Sequence, residues 1–214
     1  DILISALFTQ SQTFVGNLNG KAAEVADSIT LALTAGSNAG TLSFANSNID
    51  ASAYTDGLTV TGTGTTGQFT TGTATSSISS VGATAIVATA MADDQTLTTS
   101  GDGAATVTGL QANLTVADAS AADIAVTLAA VATATVALGT NTTGTKAITA
   151  DAMTNGQTLT LTGSDAATLS FVNSDVDASA YTGALTVTGT GTTGQFTTGT
   201  ATSSISSVGA TAIV

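Results

Sequence analysis

The stretch TLSFANSNIDASAYTDGLTVTGTGTTGQFTTGTATSSISSVGATAIV, residues 41–87, decides the fold because the chain contains it twice. Residues 168–214 repeat it without a gap at an offset of 127, and 42 of the 47 positions are identical. A weaker match at an offset of 62 joins residues 91–98 to residues 153–160, and it predicts that the long repeat consists of two diverged halves. Self-similarity of this kind is typical of architectures in which equivalent units stack along one axis.

A finer period of nine residues runs inside the block. Val60, Phe69, Ile78 and Val87 are each nine residues apart, and mostly Gly, Thr, Ser and Ala separate them. The period matches neither an amphipathic helix nor a simple hairpin. It predicts a strand-and-turn unit of a coiled β structure, in which these four side chains point into one continuous core.

Alternating apolar and polar residues predict strands at residues 28–34, 58–60, 157–162 and 185–187. Residues 20–26 are rich in good helix formers and are predicted as the one helix, while the Ala-rich residues 119–132 are ambiguous. The complete absence of proline favours strands that pair on both sides. The preferred fold is all-β, a repetitive parallel β-solenoid or β-roll-like stack with about 18 residues per coil, and the alternative is a tandem of antiparallel β-sandwich domains.

Three segments follow from the repeats. Residues 1–26 are an N-terminal segment without a repeat partner, residues 27–150 are a first β repeat unit, and residues 151–214 are a second, incomplete unit. About seven coils are expected for each copy of the long repeat, if every coil has about 18 residues.

Composition argues against several functions. The chain has 14 acidic residues and two lysines, which gives a net charge of -12, and it contains no histidine or cysteine. Phosphate backbones would repel such a chain, so a nucleic-acid partner is not expected. The weakly polar run Ile124–Leu138 is too short and too polar to span a membrane, so insertion is not expected either. Because histidine is the commonest general acid–base residue, its absence argues against an enzyme.

The phrase DASAYTGALTVTG, residues 177–189, resembles the linker-like repeats of bacterial surface-layer proteins and RTX-type adhesins. The resemblance implies an extracellular, cell-surface protein with a β-roll, which in those families is wound around calcium by Gly-Asp nonapeptides. This chain departs from that pattern. The positions two residues before Phe69, Ile78 and Val87 hold Gly67, Ser76 and Ala85, which cannot supply a carboxylate.

Calcium is nevertheless predicted as a candidate ligand elsewhere. Asn173, Asp175 and Asp177 are spaced two apart, so on a strand their oxygens share one face. The alternative is an Asn/Asp-rich turn whose side chains cap the backbone. Threonine pairs such as Thr61/Thr63 are interpreted as β-branched surface residues rather than as an ice-binding array.

The first residues suggest an assembly role. Ile2, Leu3, Ile4, Leu7 and Phe8 are apolar and β-prone, and they have no matching repeat in the chain. Strands without lysine or proline lack the residues that normally block edge pairing. The sequence therefore predicts a structural, self-assembling extracellular protein, a surface-layer or filament subunit that forms a homo-oligomeric lattice or fibre. The alternative is an adhesin stalk or ligand-binding module of a large repeat protein.

Overall fold

A computed structural model describes residues 4–6, 12–15, 22–25, 30–34, 38–117, 123–140, 143–207 and 211–214. Within these ranges every regular element is a β-strand, and no helix occurs. The predicted helix at residues 20–26 is wrong, because Ala22–Val25 forms a strand that pairs with its neighbours on the sheet. Pairing on a sheet overrides the helix propensity of Ala and Glu, which amounts to only a few tenths of a kcal/mol per residue.

The strands form two sheets. The first sheet has 12 strands, which are β1 (Ile4–Ala6), β3 (Ala22–Val25), β5 (Gly40–Phe44), β7 (Leu58–Gly62), β9 (Ser76–Ser80), β11 (Thr96–Ser100), β13 (Asn113–Val116), β15 (Thr133–Ala137), β17 (Thr158–Thr162), β19 (Asp175–Asp177), β21 (Gln195–Thr197) and β23 (Ala212–Ile213). The second sheet has 11 strands, which are β2 (Gln12–Val15), β4 (Thr30–Thr34), β6 (Asn48–Ala53), β8 (Gln68–Thr70), β10 (Thr84–Val87), β12 (Ala105–Leu110), β14 (Ile124–Leu128), β16 (Lys146–Ala150), β18 (Ala167–Phe171), β20 (Leu185–Gly189) and β22 (Ser203–Ser207).

Successive strands alternate between the two sheets, and each strand pairs in parallel with the strand two further along the chain. Two strands therefore make one coil, and the chain is a β-solenoid. The prediction of a parallel stack is confirmed, and the antiparallel sandwich alternative is wrong. The coils are unequal in length, since the coil that joins Val136 to its partner Leu161 is clearly longer than the coil that joins Leu159 to Val176.

The core lies between the sheets and follows the alternation of each strand. In β7 the sequence LTVTG shows buried Leu58 and Val60 with Thr59 exposed. The same alternation places Leu31 and Leu33 of β4 inside. Buried apolar side chains from both sheets form a single continuous cluster. Each fully buried Leu, Ile or Phe side chain contributes about 1.5–3 kcal/mol relative to exposure.

The nine-residue ladder is confirmed at three of its four positions. Val60, Phe69 and Ile78 are all buried at 0% exposure, and Val60 pairs directly with Ile78 across one coil. Val87 is not a core residue, because Ile86 occupies the inward position of β10 and Val87 points to the outer side. Phe69 pairs with Ile86 rather than with Val87, so this coil is one residue shorter than two nine-residue units. A shift of one residue reverses the face of every side chain in the strand.

The duplicated block changes sheets between its two copies. Strand β18 carries the copy of β5 and is the thirteenth strand after it, so one repeat spans six and a half coils rather than seven. Because 13 is odd, β7 belongs to the 12-stranded sheet whereas its copy β20 belongs to the 11-stranded sheet. At a strand spacing of about 4.8 Å, the two copies are displaced by about 31 Å along the axis. Near-identical sequences thus face opposite sides of the solenoid.

Close backbone contact at one corner requires a glycine. Gly163 has a φ of 111°, and a β-carbon built on it would lie 1.6 Å from the carbonyl oxygen of Leu138 in the preceding coil. Gly163 also forms a parallel bridge to Tyr181 in the following coil. A side chain there would meet both a conformational penalty and a backbone clash.

Strand pairing continues across both predicted segment boundaries, since β3 pairs with β5 and β16 pairs with β18. The division into residues 1–26, 27–150 and 151–214 describes the repeats of the sequence and stays a prediction for the folded chain.

Candidate functional site

Asn173, the first residue of the predicted calcium site, lies in the turn before β19. Its side-chain oxygen Oδ1 accepts hydrogen bonds from the backbone N–H of Thr192 at 2.9 Å and from the hydroxyl of Thr193 at 3.3 Å. Asn46 of the first copy makes the equivalent bonds to the next coil, again at 2.9 and 3.3 Å. This side chain therefore ties one coil to the next at a corner.

Asp175 and Asp177 flank Val176, which is buried, so both carboxylates lie on the outer side of β19. Oδ1 of Asp175 accepts from the backbone N–H of Gln195 at 3.1 Å, and Oδ1 of Asp177 accepts from that of Ser179 at 2.9 Å. Hydrogen bonds from the side chain and backbone of Ser179 lower the pKa of Asp177, and slight desolvation opposes them. The three predicted ligands thus share one coil, but each directs an oxygen to a different backbone amide.

Other acidic side chains form no larger cluster in the described part of the chain, where no group of three or more Asp, Glu, His or Cys residues could hold a metal ion. Two carboxylates on one strand, with an amide oxygen nearby, supply fewer oxygens than the six to eight that calcium takes. Backbone carbonyls or water would have to complete the shell, and calcium binding by Asn173, Asp175 and Asp177 stays a prediction.

The same corner bonds recur along the solenoid. Asp123 accepts from the backbone N–H and hydroxyl of Thr145 at 2.7 and 2.9 Å, and these bonds lower the pKa of its carboxyl. Asn113 accepts from the N–H of Thr135 at 2.8 Å. Sequence reasoning kept turn capping as the alternative to a metal site, and these contacts show capping between coils as well as within a turn.

The outer faces of both sheets are lined by hydroxyl groups in register. On the 12-stranded sheet, one column of directly paired residues consists of Thr41, Thr59, Ser77, Thr98 and Thr115. On the 11-stranded sheet, a similar column consists of Thr127, Thr149, Ser170, Thr188 and Ser206. The sequence alone did not reveal these columns, because unequal coil lengths hide which residues lie side by side.

The predicted assembly residues lie mostly outside the described residues. This applies to Ile2, Leu3, Leu7 and Phe8. Ile4 is the first residue of β1, which pairs in parallel with β3 of the same chain. An intermolecular contact at these five residues stays a prediction.

Tyr54 and Tyr181 are packing residues, because both are at 0% exposure. The hydroxyl of Tyr54 donates to the carbonyl oxygen of Asn38, and that of Tyr181 donates to the carbonyl oxygen of Asp165. Burial raises the pKa of the Tyr181 hydroxyl well above its usual range, and the negative charge of Asp165 acts in the same direction.

Sequence reasoning missed the ion pair inside the solenoid. Lys146 Nζ lies 3.7 Å from Asp165 Oδ2, and the two side chains are 0% and 3% exposed. A signal was present, since Lys146 lies two residues before Ile148 and four before Ala150, and all three are buried on β16. One of only two lysines in the chain therefore occupies a core position.

No family model, no curated protein and no solved structure matches this chain. The described part of the chain contains no helix that is long and apolar enough to cross a membrane. The fold and the contacts of the chain itself therefore carry the functional argument.

Proposed function

We propose that this chain is a structural, self-assembling extracellular protein that forms a surface layer or filament at a bacterial cell surface. The observation that carries the proposal is the sheet change of the duplicated block, which presents near-identical outer faces on opposite sides of one rod. The outer face of one copy of the block can contact the outer face of the other copy on a neighbouring molecule. Such head-to-tail contacts do not close into a ring. Contacts of this kind produce open arrays.

The charge distribution supports lateral contact. Although the chain carries a net charge of -12, the duplicated outer faces are built mainly from threonine and serine. Three strand residues with a described side chain are acidic: Asp50, Asp175 and Asp177. Apart from Glu24 of β3, the other acids in the described ranges lie outside the strands. The faces lined by threonine and serine can therefore approach each other with less repulsion than the net charge suggests.

The test is electron microscopy of the purified chain, with a charge placed on each copy of the face. Thr59 is exposed on β7 and Thr186 is its exposed copy on β20. We expect ordered fibres or lattices for the unmodified chain and loss of order in Thr59→Lys and Thr186→Lys. Ala130→Lys is the matched control, because Ala130 is exposed in a turn. Monodisperse particles at every salt concentration would refute self-assembly.

A stalk or ligand-binding module of an adhesin is the second candidate, and the net charge of -12 favours it because like-charged rods repel one another. Under this alternative, the unmodified chain stays monomeric even when salt screens the charge. The N-terminal assembly proposal is tested separately by deletion of residues 1–14. If polymers form with unchanged order after that deletion, the assembly contact does not involve Ile2, Leu3, Ile4, Leu7 and Phe8.

A further inference from the structure

The buried pair formed by Lys146 and Asp165 is unusual for this chain. Only two cations accompany 14 acids, and one of the two lysines lies inside the core with its amino group 3.7 Å from a carboxylate oxygen. The amino group also donates to the carbonyl oxygen of Thr143 at 3.3 Å. Burial of two charges is costly and is often no more stabilising than apolar packing, so stability alone does not account for the pair.

The surroundings bury both side chains almost completely. Lys146 begins β16 between Ile124 and Ala167 of the neighbouring coils, both of which are buried. Asp165 lies in the turn before β18, and the Tyr181 hydroxyl from the next coil donates to its carbonyl oxygen. Three successive coils therefore meet at the pair.

The duplication repeats the tyrosine contact at this corner with one change. Asn38 is the counterpart of Asp165 at the offset of the duplication, and Tyr54 donates to its carbonyl oxygen as Tyr181 does to that of Asp165. An acid in one copy is thus an amide in the other, at a corner with the same tyrosine contact.

The pairing register places a lysine just before corresponding strand positions in both parts of the chain. Ala22 pairs with Thr41 as Ala147 pairs with Thr168, so Lys21 and Lys146 each stand one residue before equivalent strand positions. The two lysines are 125 residues apart, two fewer than the offset of the duplication, so the pairing register alone relates them. Asn38 and Asp165, which the duplication does align, both carry a side-chain carbonyl carbon that an amine can attack.

We propose that Lys146 and Asp165 condense to an intramolecular amide bond. The step begins with transfer of one proton from the ammonium of Lys146 to the carboxylate of Asp165, which gives a neutral amine and a neutral carboxylic acid. The nitrogen Nζ then attacks the carbon Cγ of Asp165, the C–O bond breaks, and the departing hydroxyl leaves with an amine proton as water. No oxidant, metal or nucleotide is needed, because fixed proximity replaces activation of the acid.

The amide ties neighbouring coils together in a chain that has no cysteine and therefore no disulfide. It joins β16 to the turn before β18, at the corner where Tyr181 already fixes the backbone of Asp165. A cross-link of this kind restricts the unfolded chain as a disulfide does. The inference does not depend on the proposed assembly, since it concerns a bond within one molecule.

Trypsin and mass spectrometry test the proposal directly. Trypsin cleaves after Lys and Arg, and this chain has only two such residues, Lys21 and Lys146. We expect the unfolded, purified chain to resist cleavage after Lys146, and its intact mass to be lower by one water at this linkage. A branched peptide that joins Lys146 to Asp165 identifies the bond.

Variants distinguish the proposed amide bond from other reactions that release water. Lys146→Ala and Asp165→Ala should each lose the branched peptide, whereas Asp165→Asn should reach the same cross-linked product by release of ammonia. Asp151→Asn is the matched control, because Asp151 is exposed after the same strand. Cleavage after Lys146 in the unmodified chain, with the mass of an open pair, would overturn the proposal even if the variants fail to fold. A water loss that persists in Lys146→Ala would indicate a cyclic imide and would overturn it as well.

Discussion

Replacement of Ile86 and of Val87 by alanine separates the observed register of β10 from the one that a strict nine-residue period predicts. Ile86 is at 0% exposure and pairs with Phe69 and Val107 in the neighbouring coils. Val87 is half-buried on the outer side, where it pairs with Thr70. A strict period would exchange the environments of the two side chains.

The expected magnitudes follow from burial. Ile86→Ala removes three buried carbons at about 0.8 kcal/mol each, or about 2.4 kcal/mol, and the residual cavity raises the loss into the range of about 2–5 kcal/mol. Val87→Ala loses little packing and some β propensity, so its cost is about 0.5–1 kcal/mol. Ile213, the copy of Ile86, is 52% exposed and serves as a matched control with a similarly small cost.

Urea unfolding followed by far-ultraviolet circular dichroism measures the difference. We expect the midpoint to shift at least twice as far for Ile86→Ala as for Val87→Ala or Ile213→Ala, with similar slopes for all three. An equal or larger shift for Val87→Ala would mean that Val87 is the core residue. The pairing of Phe69 with Ile86, and the shortened coil that it implies, would then be wrong.

Three further predictions concern a glycine, a tyrosine and the candidate calcium site. Gly163→Ala should cost more than about 1 kcal/mol in urea unfolding and clearly more than Gly156→Ala, because both glycines have positive φ but only the first meets backbone within 4 Å. Burial raises the pKa of Tyr181, so its contribution to stability is complete below about pH 10, where unfolded tyrosine titrates, and is lost as the pH rises further. Tyr181→Phe should therefore flatten the fall of melting temperature above that pH, and an unchanged alkaline profile would count against this assignment. Chelation should lower the melting temperature of the unmodified chain but not of the Asp175→Asn, Asp177→Asn double variant, and calorimetry without calcium binding would end the calcium hypothesis.

The sequence predicted the architecture because stacking makes the period visible. Val60, Phe69 and Ile78 occupy equivalent inward positions on alternate sheets, so a period of nine residues corresponds to half a coil. The period holds only where turns are equal in length. It fails at Val87, where the coil is one residue shorter, and it offers no guide to the much longer coil between Val136 and Leu161.

Local propensity predicted the wrong element at Ala22–Val25. Isolated residues of this composition favour a helix, but the parallel partners on both sides supply ladder hydrogen bonds that a helix in this place could not replace. Long-range pairing of this kind is invisible to a short window of sequence.

The candidate site was predicted only in part for the same reason. Asn173, Asp175 and Asp177 are close in sequence, so their shared coil was evident, but their hydrogen-bond partners belong to the next coil or the next turn. Lys146 and Asp165 belong to different coils in a region where coil lengths are unequal, so no period in the sequence pairs them.

The sheet change of the duplicated block shows that either sheet can hold the same strand sequence. An identical strand, LTVTG, buries Leu58 and Val60 on one sheet and Leu185 and Val187 on the other. Inward and outward positions are defined by alternation along the strand and not by the sheet that contains it. A duplication of any number of half coils therefore preserves which residues of each strand point inward. When the number of half coils is odd, each outer residue of the second copy also lies on the opposite side of the rod. The same sequence then forms an outer face on both sides.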